Sequence, residues 1–299
     1  MKVVSYCSDK PREHMIAQAM KLGIEAQGST FEIRRTADYG EDDEGNDRKW
    51  PGPDPETDVA IVFGVKGISS QLLKDHLAMG KHTLFLDKGF TREKGENSHT
   101  KYTRVAVDAT SPASYMMNRK HDSKRASALN INLESRKNPV SGHILYCGSS
   151  QKYNDFHGLG HSTAYAQKVF SSLRKLTPRQ LIYRPKPSWK GYTFIKGSSH
   201  SPSSTSIHEA LKGCFCLVTH GSTAAMDAVI SGVPSIVLGQ GIASPVASNQ
   251  LESIVKPFWP DDETRMRWIN AMSYCQWTLD EFRSGEAWEY IKGQLRAAE

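Results

Sequence analysis

In the stretch FCLVTHGSTAAMDAVISGVPSIVLG, residues 215–239, a polar cluster of His220, Gly221, Ser222 and Thr223 interrupts an otherwise apolar pattern. Phe215 to Val218 reads as a strand, Thr223 to Ser231 as a helix ended by Gly232 and Pro234, and Ser235 to Leu238 as a second strand. A turn at a helix start carries unpaired backbone N–H groups and the positive end of the helix dipole, so it favours an anion. Gly221 lets the backbone approach a ligand, and Ser222 and Thr223 can cap the helix or bind phosphate. Asp227 follows about one helical turn later. A carboxylate there repels phosphate but accepts hydrogen bonds from the two hydroxyls of a ribose.

Two further clusters stand at the ends of strand-like runs. Gly148-Ser149-Ser150-Gln151-Lys152 supplies small residues, hydroxyls and a lysine after HILYC. Tyr183-Arg184-Pro185-Lys186-Pro187 supplies two cations in a loop stiffened by proline, a fork for phosphate oxygens and a compact charge. Together the clusters read as a nucleotide site, with Gly148, Ser149, Arg184, Lys186, His220, Gly221, Ser222 and Thr223 toward phosphate and Asp227 toward the sugar. No Gly-x-Gly-x-x-Gly follows the first strand, no Gly-x-x-x-x-Gly-Lys-Ser/Thr occurs, and Gly-x-Ser-x-Gly is missing. A conventional dinucleotide dehydrogenase, a P-loop ATPase and a serine hydrolase are thereby disfavoured.

Positioning these turns requires strands that end at one edge. The first part of the chain alternates: strand Val3–Tyr6, helix Pro11–Leu22, strand Phe31–Arg34, strand Val59–Phe63, helix Ser69–Met79, strand His82–Leu86 and strand Thr103–Val107. A second alternating set begins at His143 and includes helix Ser162–Leu173, strand Gln180–Arg184 and helix Ser206–Cys214. From Pro260 on the pattern is helical, over Glu263–Trp277 and Thr278–Ala298. Alternation at this spacing predicts parallel strands with crossover helices, and ligands in such sheets bind beyond the carboxyl ends of the strands. The expected fold is α/β, two Rossmann-like domains facing across a cleft with a C-terminal helical tail. The expected limits are 1–138, 139–270 and 271–299, the tail returning to the first domain.

Length and charge set the remaining bounds. The 299 residues suit two domains, and no run approaches the ~20 apolar residues that span a bilayer. No secretory pattern opens the chain, so a cytoplasmic protein with no membrane partner is expected. The five cysteines are scattered without paired Cys-x-x-Cys spacing and read as buried thiols, and no metal site is expected. The formal charge of +6 is concentrated: residues 81–137 hold twelve Lys/Arg against six Asp/Glu. Such a run either holds an anionic polymer or is a solvated face.

HGSTAAMDAVISGVPSIVLG resembles the C-terminal-domain signature of GT-B-fold glycosyltransferases, in which a strand, a Gly/Ser turn, a helix with an acidic residue and Gly-x-Pro recur. In bacterial capsule transferases of this fold the preceding strand often ends in Arg- or Lys-Pro-His-Pro; here it ends RPKP, with Lys186 at the histidine's place. The resemblance covers residues 180–240 and implies a hexosyl- or pentosyltransferase whose second domain holds a nucleotide-sugar donor, a UDP-sugar first, with no obligatory cofactor. It places the acceptor on the first domain, with a general base at a strand end: Asp87, or else Asp9 or Asp108. In size and charge the chain looks like the bacteriophage enzymes that glycosylate hydroxymethylated pyrimidines in DNA. That implies a DNA partner on Lys88, Arg92, Arg104, Arg119, Lys120, Lys124 and Arg125. A transferase for surface polysaccharide or a lipid-linked sugar, and a non-enzymatic nucleotide- or DNA-binding module, are the alternatives.

Overall fold

A computed structural model describes residues 1–39, 50–91, 101–202 and 204–295. In chain order the main elements are β1 (Lys2–Cys7), α1 (Pro11–Glu25), β2 (Thr30–Arg35), β3 (Val59–Phe63), α2 (Ile68–Ala78), β4 (His82–Lys88) and β5 (Thr103–Val107). Then follow α3 (Lys124–Ala128), β6 (His143–Cys147), α4 (Gln151–Phe156), α5 (Ser162–Leu176), β7 (Leu181–Arg184), β8 (Ser199–His200), α6 (Ile207–Ala210), β9 (Cys214–Thr219), α7 (Ala224–Ile230) and β10 (Ser235–Val237). The chain closes with α8 (Asp262–Ser273), β11 (Gln276–Trp277), α9 (Leu279–Arg283) and α10 (Glu286–Leu295).

These elements form two compact units, Met1–Pro112 with Cys275–Glu299, and Ala113–Tyr274. The division departs from the sequence expectation at both ends. Residues 113–138 belong to the second unit, because Arg125 donates from Nε to the carbonyl of Ser273 at 3.1 Å and lies over the Tyr274 ring, and Arg265 donates to the carbonyl of Glu134 at 2.8 Å. The second unit also extends to Tyr274 instead of ending at residue 270.

The first unit has strand order β11-β5-β4-β3-β1-β2. β1 to β4 are parallel, and β3, with all five residues buried, has the continuous apolar sequence of a strand covered on both faces. β5 instead runs antiparallel to β4, and β11 antiparallel to β5. The uniformly parallel sheet expected from alternation therefore fails at β5 and β11. The tail differs too: the helix expected to reach Trp277 stops at Ser273 so that Gln276 and Trp277 can pair with Arg104 and Thr103. The last helix is broken at Gly285, whose φ of 83° is left-handed. α9 begins with a capping box, the Thr278 side chain bonding Glu281 N–H while the Glu281 carboxylate takes Thr278 N–H. Gly23 of α1 receives this tail, because a Cβ there would collide with the Phe282 carbonyl and the Gly285 backbone.

The second unit has strand order β10-β9-β6-β7-β8, all parallel. The chain starts at β6, moves outward through β7 and β8, and returns to the other side of β6 with β9 and β10. The point where direction reverses lies between β6 and β9, which is where open α/β sheets bind ligands. Tyr146, Phe170, Leu173, Tyr183 and Val218 form the core under α5. The expected helix Ser206–Cys214 is only Ile207–Ala210, capped by Ser206 Oγ accepting from Glu209 N–H. Cys214 is the first residue of β9, and the five cysteines are buried and unbridged. No helix among the described residues is long and apolar enough to cross a membrane.

Candidate functional site

The three sequence clusters meet at the carboxyl edge of the second sheet. Register places Cys147 opposite both Thr219 and Arg184, so the turns after β6, β9 and β7 leave the sheet at one level. Thr219 Oγ1 donates to the Cys147 carbonyl at 2.8 Å and accepts from Ser222 N–H at 3.2 Å, tying the β6 and β9 ends together across the reversal point. Ser222 Oγ in turn accepts from Ala224 N–H at 3.2 Å and opens α7.

Glycines let this turn and the one after β10 interlock. Gly239 N–H donates to the His220 carbonyl at 2.7 Å, and the imidazole of His220 occupies the space that a Cβ on Gly239 would take. A Cβ on Gly221 would meet the Tyr153 hydroxyl and, at 2.7 Å, the Gln240 carbonyl, while one on Gly241 would lie 3.2 Å from the Gly221 backbone. Backbones at this separation leave room for no side chain larger than hydrogen. Beyond Gly239 opens a cavity of about 440 Å³, bordered by Ser114, Met117, Val237, Gln240, Ser248 and Asn249.

His220 is the chemical centre of the turn. Its Nδ1 shares a hydrogen bond of 2.8 Å with Tyr165 Oη. The rings of Tyr153, Tyr165 and His157 stand 6.0, 5.4 and 5.9 Å from it. Burial, with His157 adding repulsion, lowers the imidazole to about 4, while burial raises the Tyr165 phenol. At neutral pH both are uncharged, and His220 can meet an anion through a hydrogen bond but not through a full charge. Tyr153, His157 and Tyr165 escaped the sequence reading. The signal for the first two was a Tyr-x-x-x-His spacing, one helical turn, directly after the Gly-Ser-Ser turn.

The remaining donor-side residues are distributed unevenly. Gly148 is held by its N–H to the Arg184 carbonyl at 2.9 Å, and a Cβ there would press on the Tyr183 ring at 2.9 Å. Ser149 is half-buried beside it. Arg184 is 7% exposed and donates to Ser201 Oγ at 3.0 Å, to the Pro202 carbonyl at 3.3 Å and to the Thr205 carbonyl at 2.7 Å. Its guanidinium thus fastens the loop after β8, a task that the Arg-Pro-Lys-Pro pattern does not disclose. Lys186 is exposed past the β7 end, Thr223 is half-buried at the helix start, and Asp227 is half-buried in the first turn of α7.

In the first unit the carboxylates separate by edge. Asp87 is the penultimate residue of β4 at the carboxyl edge, where its Oδ2 accepts from Arg104 at 2.8 Å and its Oδ1 from Lys88 N–H at 2.8 Å. Asp9 follows β1 at the same edge and pairs with Arg35 at 3.1 Å. Asp108 follows β5, and because β5 is antiparallel it emerges at the opposite edge, accepting from Thr83 N–H at 2.7 Å and bonding His82 at 2.8 Å. Its φ of 53° marks a tight turn. That position removes Asp108 from the strand ends where a general base was expected. Glu13, which sequence reasoning passed over, is buried at the β1 end and accepts from Ser8 N–H, Ser8 Oγ and Lys10 Nζ at 2.9, 2.7 and 2.8 Å.

The basic residues divide likewise. Lys88 and Arg104 are in the first unit, Arg104 lying over the Phe85 and Phe90 rings. Arg119, Lys120, Lys124 and Arg125 are in the second. Arg92 lies outside the described residues.

No protein-family model matches the sequence, and no curated protein matches it. Solved structures do. The beta Kdo 2,7 transferase of Thermosulfurimonas dismutans KpsC aligns at 10% identity over 98% of this chain and 100% of its own, with a TM-score of 0.55. The beta Kdo 2,4 transferase of the same protein aligns at 11% identity over 92% and 91%, with a TM-score of 0.53. A UDP-GlcNAc 2-epimerase from Neisseria meningitidis covers 99% of this chain and 100% of its own at 11% identity, but its TM-score of 0.31 is too low to establish a common fold. The chain therefore has a glycosyltransferase-like fold of the GT-B kind.

Proposed function

We propose that this protein is a glycosyltransferase whose second unit holds a nucleotide-sugar donor at the junction of the β6 and β9 ends. One observation carries the reading: the reversal point of the sheet is closed by the Thr219–Cys147 hydrogen bond and roofed by a glycine-lined turn that presents a neutral His220 and the start of α7. Hydroxyls, backbone N–H groups and a neutral imidazole suit a phosphate whose charge must grow on departure, since fixed dipoles stabilise it without a covalent intermediate. Asp227, in the first turn of α7, is the ribose contact in this reading. A uridine diphosphate sugar is the first donor to try.

In the transfer, the acceptor oxygen bonds to the anomeric carbon as the bond from that carbon to the donor phosphate breaks. The hydroxyl proton passes to a carboxylate, and the negative charge leaves with the nucleotide. We assign the proton to Asp87, which stands at the carboxyl edge of the first sheet. There it accepts from Arg104 and from Lys88 N–H, contacts that in this reading hold the carboxylate at the strand end for an acceptor hydroxyl.

For the acceptor, a saccharide hydroxyl is favoured over 5-hydroxymethylpyrimidine in DNA. The DNA reading drew on a continuous basic run in the acceptor half, and four of its seven cations, Arg119, Lys120, Lys124 and Arg125, fold with the other unit. The KpsC transferases, alike in fold over nearly the whole chain, are Kdo transferases. The test is to incubate the purified protein with nucleotide-sugars and either capsule-type oligosaccharides, hydroxymethylated DNA or plain DNA, and to weigh the products by mass spectrometry. A mass gain of one sugar on an oligosaccharide supports the reading, and a gain on hydroxymethylated nucleosides moves the acceptor to DNA. Nucleotide binding without any transfer leaves a binding module and overturns the enzyme.

A further inference from the structure

The cavity beyond Gly239 differs from the turn it adjoins, and the difference bears on which sugar the donor carries. The two are contiguous, because the His220 ring occupies the side-chain space of Gly239, and Gly239 is itself part of the cavity wall. On the donor reading, a phosphate at the His220 turn has this space beside it for its substituent. At about 440 Å³ the cavity falls in the range of roughly 300–1,000 Å³ typical of small-molecule sites.

Its wall contains no Asp, Glu, Lys, Arg or His among the described residues. The polar groups are neutral amides and hydroxyls. Ser244 Oγ accepts from Gly241 N–H at 2.9 Å and Ser248 Oγ is bonded to Ser253 Oγ at 2.6 Å, so both brace the loop. Gln240 and Asn249 are exposed at the rim, where an amide offers both a donor and an acceptor to a ring hydroxyl. Arg267 reaches the wall only to donate to the main-chain carbonyl of Met117. A polyhydroxylated ring matches such a lining, hydroxyl for amide. A carboxylate matches it poorly, because an anion moved out of water without a cation or several donors around it loses more solvation than neutral groups return.

We infer that the cavity receives the transferred sugar and selects a neutral hexose or pentose against an acidic sugar that carries a carboxylate. The inference rests on the donor reading of the His220 turn and narrows its substrate class. It also sets this chain apart from the Kdo transferases it resembles in fold, Kdo being an acidic sugar.

Calorimetric titration with bare nucleotides comes first: UDP, GDP and CMP. The one that binds is then compared with its sugar conjugates, UDP-glucose against UDP-glucuronate or GDP-mannose against GDP-mannuronate, pairs that differ only in one carboxylate. The neutral conjugate is expected to bind at least tenfold more tightly than the acidic one. In Gln240→Arg the ratio is expected to fall by about tenfold or to invert, because the substitution supplies the missing cation. If CMP alone binds, its acidic conjugates are expected to bind no more tightly than CMP. An acidic conjugate that binds more tightly than its bare nucleotide in the wild-type protein overturns the inference and leaves the donor reading intact. Equal affinity for both members of a pair, unmoved by Gln240→Arg, does the same. If none of the three nucleotides binds, the donor reading itself fails and the inference falls with it.

Discussion

The carboxyl edges of the two sheets are built from opposite chemistry. In the first unit the edge is charged and cross-linked: Asp9 pairs with Arg35, Asp87 with Arg104, and Glu13 with Lys10 and Ser8. In the second unit the turns at the β6–β9 junction are made of glycines in close contact, hydroxyls and an imidazole held uncharged by burial, with Arg184 and Asp227 as the flanking charges. Paired charges at such an edge contribute little to stability, but they hold the carboxylates at a defined place. Neutral dipoles packed by glycine are a way to meet an anion that must later leave. In the proposed reading, proton transfer falls to one edge and phosphate binding to the other.

The largest expected effect tests that division directly. Asp87→Asn is expected to lower kcat by about 10²- to 10⁴-fold, the range of a lost general base, with donor affinity measured by titration unchanged. Asp108→Asn, at the opposite edge, is expected to leave kcat within about twofold and to lower stability by about 1–2 kcal/mol through the lost bonds to Thr83 and His82. If Asp87→Asn weakens donor binding more than it slows turnover, the two edges do not divide the work.

On the other edge, Gly239→Ala is expected to weaken donor binding by tenfold or more with circular dichroism unaltered, because the new methyl displaces the His220 ring. Gly221→Ala is expected to behave likewise, since its methyl meets the Tyr153 hydroxyl and the Gln240 backbone. Donor affinity within twofold of wild type in both variants would show that the glycine contacts serve folding alone.

A pH series sharpens the claim of neutrality. The His220 imidazole is lowered to about 4 from an ordinary value of 6.5. Between those values the unfolded chain binds a proton that the folded chain refuses. Stability is therefore complete above about 6.5 and declines as the pH falls toward 4. His76, His121, His143 and His200 are lowered by burial in the same direction. Chemical denaturation at fixed pH values should show this decline, smaller in His220→Asn. Over pH 6 to 8 the affinity for a nucleotide-sugar should be flat. A rise as the pH falls through 6.5 would mean that an imidazolium contacts the phosphate.

Much of this contrast was legible in the sequence, and the missing parts share a cause. The βαβ pattern and the His-Gly-Ser-Thr turn could be read because apolar runs, a helix stop at Gly232-Val-Pro234 and a polar break are all local features. The tail was not legible past Ser273, since Gln276 and Trp277 become a strand only by pairing with residues about 170 positions earlier. Arg184 looked like a phosphate ligand because an Arg-Pro motif does not reveal that Ser201, Pro202 and Thr205 will surround it. Asp108 was misplaced for a similar reason. Strand direction decides the edge at which a residue emerges, and nothing within Thr103–Val107 encodes an antiparallel strand.

The smallest expected effect concerns the basic segment, and it decides how far the contrast between the edges extends. Replacing Arg119, Lys120, Lys124 and Arg125 by glutamine removes four positive charges from the second unit at a distance along the chain from the His220 turn. Arg125 already donates to the Ser273 carbonyl and stacks on Tyr274, so part of this cluster works as a fastener for α8 and is less available to a polymer. Donor affinity and transfer to an oligosaccharide are expected to stay within about twofold, with a modest loss of stability from Arg125. A DNA acceptor predicts otherwise: each lost phosphate contact removes about 0.9 from the slope of log affinity against log salt. If four substitutions flatten that slope by about 3 and stop transfer to hydroxymethylated DNA, the acceptor is a polyanion and the second unit contributes to holding it.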